Sequence, residues 1–410
     1  MKLVKMSLAA AVLLGASAFA IDNVKVSGDA KLFYGTDNKD QAAGISDSLF
    51  DQANSYADTA LRIGLTADLA KGISMGATVN AVSTLGLENN LVANTWTGAH
   101  NAAVEDSAWA SELWIAATLG KTTAKIGRME LDTPLAFSEK WSVAANTFDA
   151  AVLINQDLPD TTLVGAWVGK ANGVDAVTSS SSAADRDAIM RDGAKFTKFM
   201  QKGAYAAAIV NNSYKPATLQ AWYYNIGMVA DAFWLQADIE CQLVKGVKIG
   251  AQYGDIDVKT GGVLGASAED SSAYAFKLAY QGIEGLNVSA AYSQADDKGS
   301  VQIQNVSASG QSKLYTEAWW NYTYVGSKDA EAFNLTAEYD VKNVAKLGAY
   351  YTTVDNDIVG STKKMDEVTV TASKSFGPLD ATLAYISTDA DDQNNGSQYD
   401  TVQAYLTLNF

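Results

Sequence analysis

The stretch from Tyr399 to Phe410 reads YDTVQAYLTLNF. Val402, Ala404, Leu406, Leu408 and Phe410 fall on one face of an extended strand, and Thr401, Gln403, Tyr405, Thr407 and Asn409 on the other. Side chains alternate across a strand with period two, so one face is apolar and the other polar. An aromatic carboxylate closing such a strand suits the last strand of a bacterial outer-membrane barrel, which pairs with the first. One alternating strand is common in soluble domains too. The test is whether the pattern recurs often enough to close a cylinder.

It does. Segments of about ten alternating residues, joined in turn by tight turns and longer polar loops, mark a membrane barrel. Val24–Tyr34 is the first, with Val24, Val26, Ala30, Leu32 and Tyr34 on one face. Leu61–Leu69 and Ile73–Ala81 flank Lys71-Gly72 as a hairpin. Trp109–Leu119 leads through Gly120-Lys121 into Thr123–Met129, and Phe148–Asn155 turns at Pro159-Asp160 into Thr161–Lys170. Further pairs flank Lys215-Pro216, Lys245-Gly246, the turn Gly282 to Gly285, Lys342-Asn343 and Gly377-Pro378. The count comes to about 18 strands. An even number puts both ends on the periplasmic side. Within Phe233–Leu243 the phase directs Cys241 toward lipid, as a small apolar group. The part of the long connection from Ala183 to Phe199 reads as a short helix.

Composition excludes the alternatives. After residue 20 no run approaches the roughly 20 apolar residues of a membrane-spanning helix. Only helices and closed barrels satisfy every backbone group in lipid. Residues 1–20 read as a cleaved secretory signal: Lys2 and Lys5, an apolar stretch from Leu8 to Leu14, and Ala18-Phe19-Ala20 before the cut. Residues 21–410 then form one barrel domain. Removing Lys2 and Lys5 takes the net charge from −16 to −18, which argues against a nucleic-acid partner. One cysteine and one histidine, His100, leave no disulfide frame, no zinc motif and no catalytic triad. His100, near Glu105 and Asp106, reads as a solvated loop residue, and the chain as no enzyme. The acidic runs Asp355-Asn356-Asp357 and Asp389 to Asp392 read as solvated loops. The second imitates half a calcium loop, but Val402 stands where the closing Glu belongs.

The informative connection is the third long one, Ile126 to Phe148. Leu131, Pro134, Leu135, Phe137 and Trp141 can pin it against the barrel wall, leaving Glu130, Asp132 and Glu139 facing the lumen. Arg62 and Lys125, with Arg128 at the rim, form a basic counter-wall. Acids facing bases across a channel make a transverse field that orients small polar solutes, and charge rings set ion preference. Inward-phase acids Asp29, Asp58, Asp68, Glu112, Asp149, Asp238, Glu240 and Glu338 outnumber Lys25, Lys31, Arg62, Lys125, Lys248, Lys277 and Lys346 by one. A mild cation preference follows. Trp319, Trp320, Tyr322 and Tyr324 form an aromatic group in the connection from Ser293 to Ala332, suited to sugar stacking or to packing within the loop.

The signal, the start DNVKVSGDAKLFY at Asp22–Tyr34, the stretch IGRMELDTPL at Ile126–Leu135 and Phe410 resemble the major outer-membrane porin of Campylobacter and its relatives. More distantly the chain resembles OprD-like channels, whose third loop also follows a Gly-Arg pair, here Gly127-Arg128. The resemblance implies an 18-stranded porin that assembles as a homotrimer in lipid and lipopolysaccharide. It also implies a constriction formed partly by the third loop. Family members hold a divalent cation near that constriction, so Ca2+ is admitted there with no ligand assigned. The expected function is passive diffusion of ions and small hydrophilic solutes across the outer membrane. The alternative is a surface adhesin or structural protein without an open pore.

Overall fold

The computed structural model describes residues 21–39, 48–95, 107–173, 195–200, 202–307, 310–358 and 361–410. The signal segment, His100 with Glu105 and Asp106, and most of the expected helix at 183–199 lie outside the described residues. The described end of that segment is extended, with Thr197–Lys198 paired to a barrel strand.

Among the described residues eighteen long strands form the barrel. The first nine are β1 (Asp22–Asp37), β2 (Ser55–Ala70), β3 (Ile73–Val82), β4 (Ser107–Leu119), β5 (Thr122–Met129), β6 (Phe148–Asn155), β7 (Thr161–Ala171), β8 (Ala204–Asn211) and β9 (Ala217–Ile226). The second nine are β10 (Ala230–Glu240), β11 (Val247–Val258), β12 (Ser271–Tyr280), β13 (Leu286–Ala295), β14 (Ala330–Val341), β15 (Ala345–Ile358), β16 (Ser361–Phe376), β17 (Leu379–Ala390) and β18 (Tyr399–Asn409). Each pairs antiparallel with its chain neighbours. β18 then pairs with β1, from Asp29 opposite Asn409 to Asp37 opposite Thr401. The seam is finished by Gly28 N donating to Phe410 O at 2.8 Å and Phe410 N to Gly28 O at 3.0 Å. No strand edge is left to lipid, where each unsatisfied backbone group costs several kcal/mol.

The two faces separate as the alternation requires. Outward positions such as Ile63, Leu113, Ile115, Leu235, Leu278 and Leu383 are exposed apolar groups. Tyr223, Tyr253, Tyr274 and Tyr385 are exposed on the loop-side half of their strands, and Tyr339 and Phe376 nearer the turn side, aromatic residues of the kind that form girdles in membrane barrels. The buried apolar core is inside the lumen, not between layers. Phe148, Trp234, Ile256, Ala275 and Ala332 from the wall pack on Leu135, Ile303, Val306, Leu314 and Val325 from two long loops.

Loop-side pairing runs further than the alternation predicts. Asp355 and Asn356 therefore sit in β15, not in a solvated loop. β10 stops at Glu240, so Cys241 falls in the turn, half-buried, rather than on a lipid-facing strand position. The strand pair β8–β9 and strand β17, the hardest to delimit from sequence, form full ladders.

The seam leaves no room at Gly28. A Cβ there would lie 2.4 Å from the Arg62 carbonyl oxygen and 2.6 Å from the Phe410 ring. Gly28→Ala is expected to destabilise the folded barrel by about 1–3 kcal/mol. The check is the temperature at which its fast-migrating folded band is lost on a semi-native gel, which should fall.

A charged eyelet between two inward-folded loops

The connection from β5 to β6 (residues 130–147, loop 3) folds into the lumen. Of the expected anchors Pro134, Leu135 and Phe137 are buried and Leu131 and Trp141 half-buried, and Ala136, Val143 and Ala144 are buried with them. Asn146 holds its shape: the side-chain oxygen accepts from Glu139 N at 2.8 Å, and the amide donates to Phe137 O at 3.1 Å.

A second loop meets it. Residues 296–329, between β13 and β14 (loop 7), also turn inward, which the sequence reading did not anticipate. Asn305 donates to Phe137 O and to Glu139 Oε1, both at 2.9 Å, and accepts from Phe137 N at 3.2 Å. Val306 N donates to Leu135 O, and Gln311 N to Glu139 Oε1. Lys313 Nζ bonds Asp132 at 2.9 Å. Trp141 of loop 3 meets Trp320 of loop 7 edge-on, with centroids 5.9 Å apart. Loop 7 is tied to the far wall by Glu367 of β16, which accepts from Trp320 N and Asn321 N at 3.1 and 2.8 Å. Tyr315 donates to Asp238 of β10 at 2.6 Å. Buried polar groups need such partners, and each loop supplies the other's.

The acids and bases of the opening form a chain across β1, β2 and loop 3. Arg62 bonds Asp29 at 2.7 Å and Glu130 at 3.5 Å. Lys31 approaches Asp29 at 3.9 Å, and Lys140 closes on Glu130 at 2.5 Å. Arg62 and Glu130 are in direct contact, and Asp132 is exposed on loop 3 with Lys313 as partner. Lys125 lies on the inner wall with its ammonium 4.1 Å from the Trp114 ring centre. Two expectations change. Glu139 does not face water: it is 4% exposed, because its carboxylate is spent on Asn305 and Gln311. Arg128 and Asp149 share the phase opposite to buried Met129, Phe148 and Ala150, so their 2.8 Å pair points outward at the rim. Gly127, at φ 127°, sits beside this pair, in a backbone region other residues rarely adopt. With Asp149 removed, the inward acids and bases of the strands come out even.

Glu317 of loop 7 is the unusual carboxylate. One of its oxygens is buried with no hydrogen-bond partner. Burial first, and then the neighbouring Glu139, push its pKa up to about 8, against the pull of Lys313. Nearer the mouth, burial and a hydrogen bond to Asp392 hold the Tyr324 phenol above its ordinary range. Asp392 also bonds Lys363 at 2.7 Å, and Asp391 accepts from Lys364 N at 3.0 Å. Lysine and tyrosine partners organise this acidic run. Among the described residues no three His, Cys, Asp or Glu side chains converge as a metal site would require. The arrangement brings paired acids and bases of β1, β2 and loop 3 together beside the contact between loops 3 and 7.

Comparison with known proteins agrees with this architecture. No curated protein matches the sequence. Among solved structures, Pseudomonas aeruginosa OccK9 (OpdG) superposes with a TM-score of 0.72 at 13% identity, over 95% of this chain and 99% of that one. OccK8 (OprE) of the same organism gives 0.70 at 15% identity, over 96% and 99%. P. aeruginosa OpdK, solved with vanillate, gives 0.72 at 14% identity, over 95% and 99%. At such identities the likeness establishes a shared barrel fold. The family model of the Gram-negative porins matches residues 7–407, and with its closed eighteen-stranded barrel and inward loops the chain belongs to that family.

Proposed function

We propose that this porin passes ions and small hydrophilic solutes by passive diffusion, with a mild cation preference. The observation that carries the reading is the Lys31–Asp29–Arg62–Glu130–Lys140 chain at the loop 3–loop 7 opening. It sets fixed, mutually oriented charge beside the opening, as channels use to select among small solutes. The inward strand charges balance and the chain at the opening holds three bases to two acids, so the preference is assigned to the excess of acidic over basic residues in the whole protein, 46 against 30, acting at the water-facing rim. Rim potentials decay over about 10 Å at 0.1 M salt and about 3 Å at 1 M. In planar bilayers the reversal potential under a salt gradient should favour cations at low salt and approach neutrality near 1 M. Anion preference at low salt would refute the assignment.

Charge removal at the opening gives the sharper test. Arg62→Ala deletes one positive charge, worth about 1 kcal/mol to an ion passing at about 4 Å in water-like surroundings. The cation-to-anion permeability ratio should rise up to roughly fivefold, and Glu130→Gln should move it the other way. Unchanged ratios in both variants would place the selective step elsewhere.

A second reading concerns solutes. A cavity of about 380 Å3 beside the opening is lined by Lys31, Lys140, Trp141, Trp319 and Tyr405. Two ammonium groups and flat rings suit a planar molecule carrying one negative charge, and OpdK was solved with vanillate. Vanillate added to the bath should then produce brief current blockades that Lys140→Ala shortens. Equal blockades in both proteins would remove the cavity from the path.

The two-loop clasp should also respond to pH. The Glu317 carboxyl titrates near 8 when the clasp is closed and near its ordinary value of about 4.3 when loop 7 is free in water. The closed clasp therefore holds the extra proton, and its stability falls as pH rises through that window and levels off above it. Each pH unit in the window shifts the open-to-closed ratio by at most about tenfold. Proteolytic nicking of loop 7 should accelerate from pH 5 to pH 8, and Glu317→Gln should flatten the profile.

A further inference from the structure

The outer wall holds an apolar cavity that conduction does not use. It lies on the turn-side half of β12 to β16 and has a volume of about 680 Å3, within the roughly 300–1,000 Å3 of small-ligand sites. Ladder register sets its shape. Leu278, Ala290, Leu335, Tyr351 and Val368 form one outward row, each opposite the next. Tyr280, Val288, Ala337, Ala349 and Val370 form the outward row nearer the turns. Ala337 stands directly opposite Ala349, so the wall sinks there between larger neighbours.

A charge stands at the turn-side end of this hollow. Lys374 of β16 shares the outward phase of Val368 and Val370, which are exposed apolar groups. It is exposed itself, with its ammonium 5.4 Å from the Phe376 ring centre and no carboxylate bonded to it among the described residues. Lys342, in the turn between β14 and β15, is exposed and equally without a bonded carboxylate among the described residues. The neighbouring acids point elsewhere. Asp340 shares the inward phase, opposite Lys346. Asp380 accepts from Ser375 and Asn409 at 2.5 and 2.8 Å. Glu284 sits in the turn at the far flank, between β12 and β13. A lysine facing hydrocarbon is costly at mid-membrane and nearly free at the boundary, so Lys374 marks the phosphate level of the turn-side leaflet. Four residues separate it from Val370, which stands opposite Ala349. At about 3.4 Å per residue that is about 14 Å, close to one leaflet of hydrocarbon, half of about 30 Å. Ala372, between them on the same face, keeps the way open.

We infer that this face seats one anionic glycerophospholipid of the turn-side leaflet, with its phosphate on Lys342 and Lys374 and an acyl chain over Ala337 and Ala349. Two unpaired ammonium groups favour a headgroup of net negative charge over one that carries its own cation. The inference takes from the channel reading only the barrel's place in a bilayer. The test is native mass spectrometry of the full chain, released from outer membranes in mild detergent, stripped of lipid and offered phosphatidylglycerol or phosphatidylcholine with the same acyl chains. Wild type should retain phosphatidylglycerol in preference by about fivefold for each lysine engaged. Lys342→Ala with Lys374→Ala should bring it down to the phosphatidylcholine level. Ala337→Leu with Ala349→Leu, which fills the hollow from the lipid side, should lower retention of both lipids. Equal retention by wild type, a preference that survives loss of both lysines, or retention indifferent to a filled hollow would each overturn the site. So would a filled hollow that changes the number of chains per particle while lipid stays bound, which would give this face to a second copy. All four substituted residues face away from the lumen, so the variants should conduct as wild type does. A failure of the current measurements and a failure of lipid retention are therefore separate results.

Discussion

Everything in this molecule follows from the cost of an unpaired peptide group in hydrocarbon. Because that cost is several kcal/mol per group, the sheet must meet itself, and β1 meets β18 over nine register pairs. Closure fixes the direction of every side chain by parity. It also encloses a polar space too wide for strand side chains alone to fill. Loops 3 and 7 occupy that space, and the buried apolar core assembles around them, inside the cylinder. The solvent-side problem of the loops and the lipid-side problem of the strands are thus solved on opposite faces of one sheet.

The opening is narrow because two loops hold each other, and the glue is amide and carboxylate chemistry rather than hydrophobic contact alone. Asn146 and Asn305 each bond two backbone groups of loop 3, and Glu139 accepts from the Asn305 amide and from Gln311 N. Removing one member would leave several buried groups unsatisfied, at about 1–3 kcal/mol each. This separates two kinds of acid on loop 3. Glu130 and Asp132 meet lysine or arginine at the water boundary, while Glu139 is a structural acceptor. The first kind is charge within reach of water, and the second holds loop geometry.

The strands were legible in the sequence because lipid demands period-two alternation, and that demand is local. Strand number and closure followed from it, while the inward folding of loop 3 was read from its apolar residues, Leu131 to Trp141. What was not legible has a common cause: it depends on register or on contacts between distant segments. Asp149 was assigned inward by simple alternation, and Arg128 to the rim as part of the basic counter-wall. Met129, Phe148 and Ala150 are buried, so parity counted from them places Arg128 and Asp149 outward, and the register shift beside Asp149 omits Gly169 of the partner strand β7. Glu139 was taken as a pore residue because nothing in its neighbourhood announces Asn305, 166 positions away. Loop 7 left a readable trace in its length and in Trp319-Trp320, since connections beyond about 15 residues are uncommon unless functional. Its aromatics serve mostly to pack: Trp320 contacts Phe33 and Trp141, and Trp319 contacts Tyr350.

The seam has a kinetic side. Ala30 pairs with Leu408, nearly the whole chain apart, so the last ladder to form is also the one with the largest loop-closure cost. Hairpins such as β2–β3 can form early, but an open sheet of such hairpins has two bare edges and an apolar outer face. Those edges cannot find each other until residues 399–409 have been made and exported. A cell producing this chain must therefore carry it across the periplasm in a shielded, unclosed state and complete it only where a bilayer can receive it.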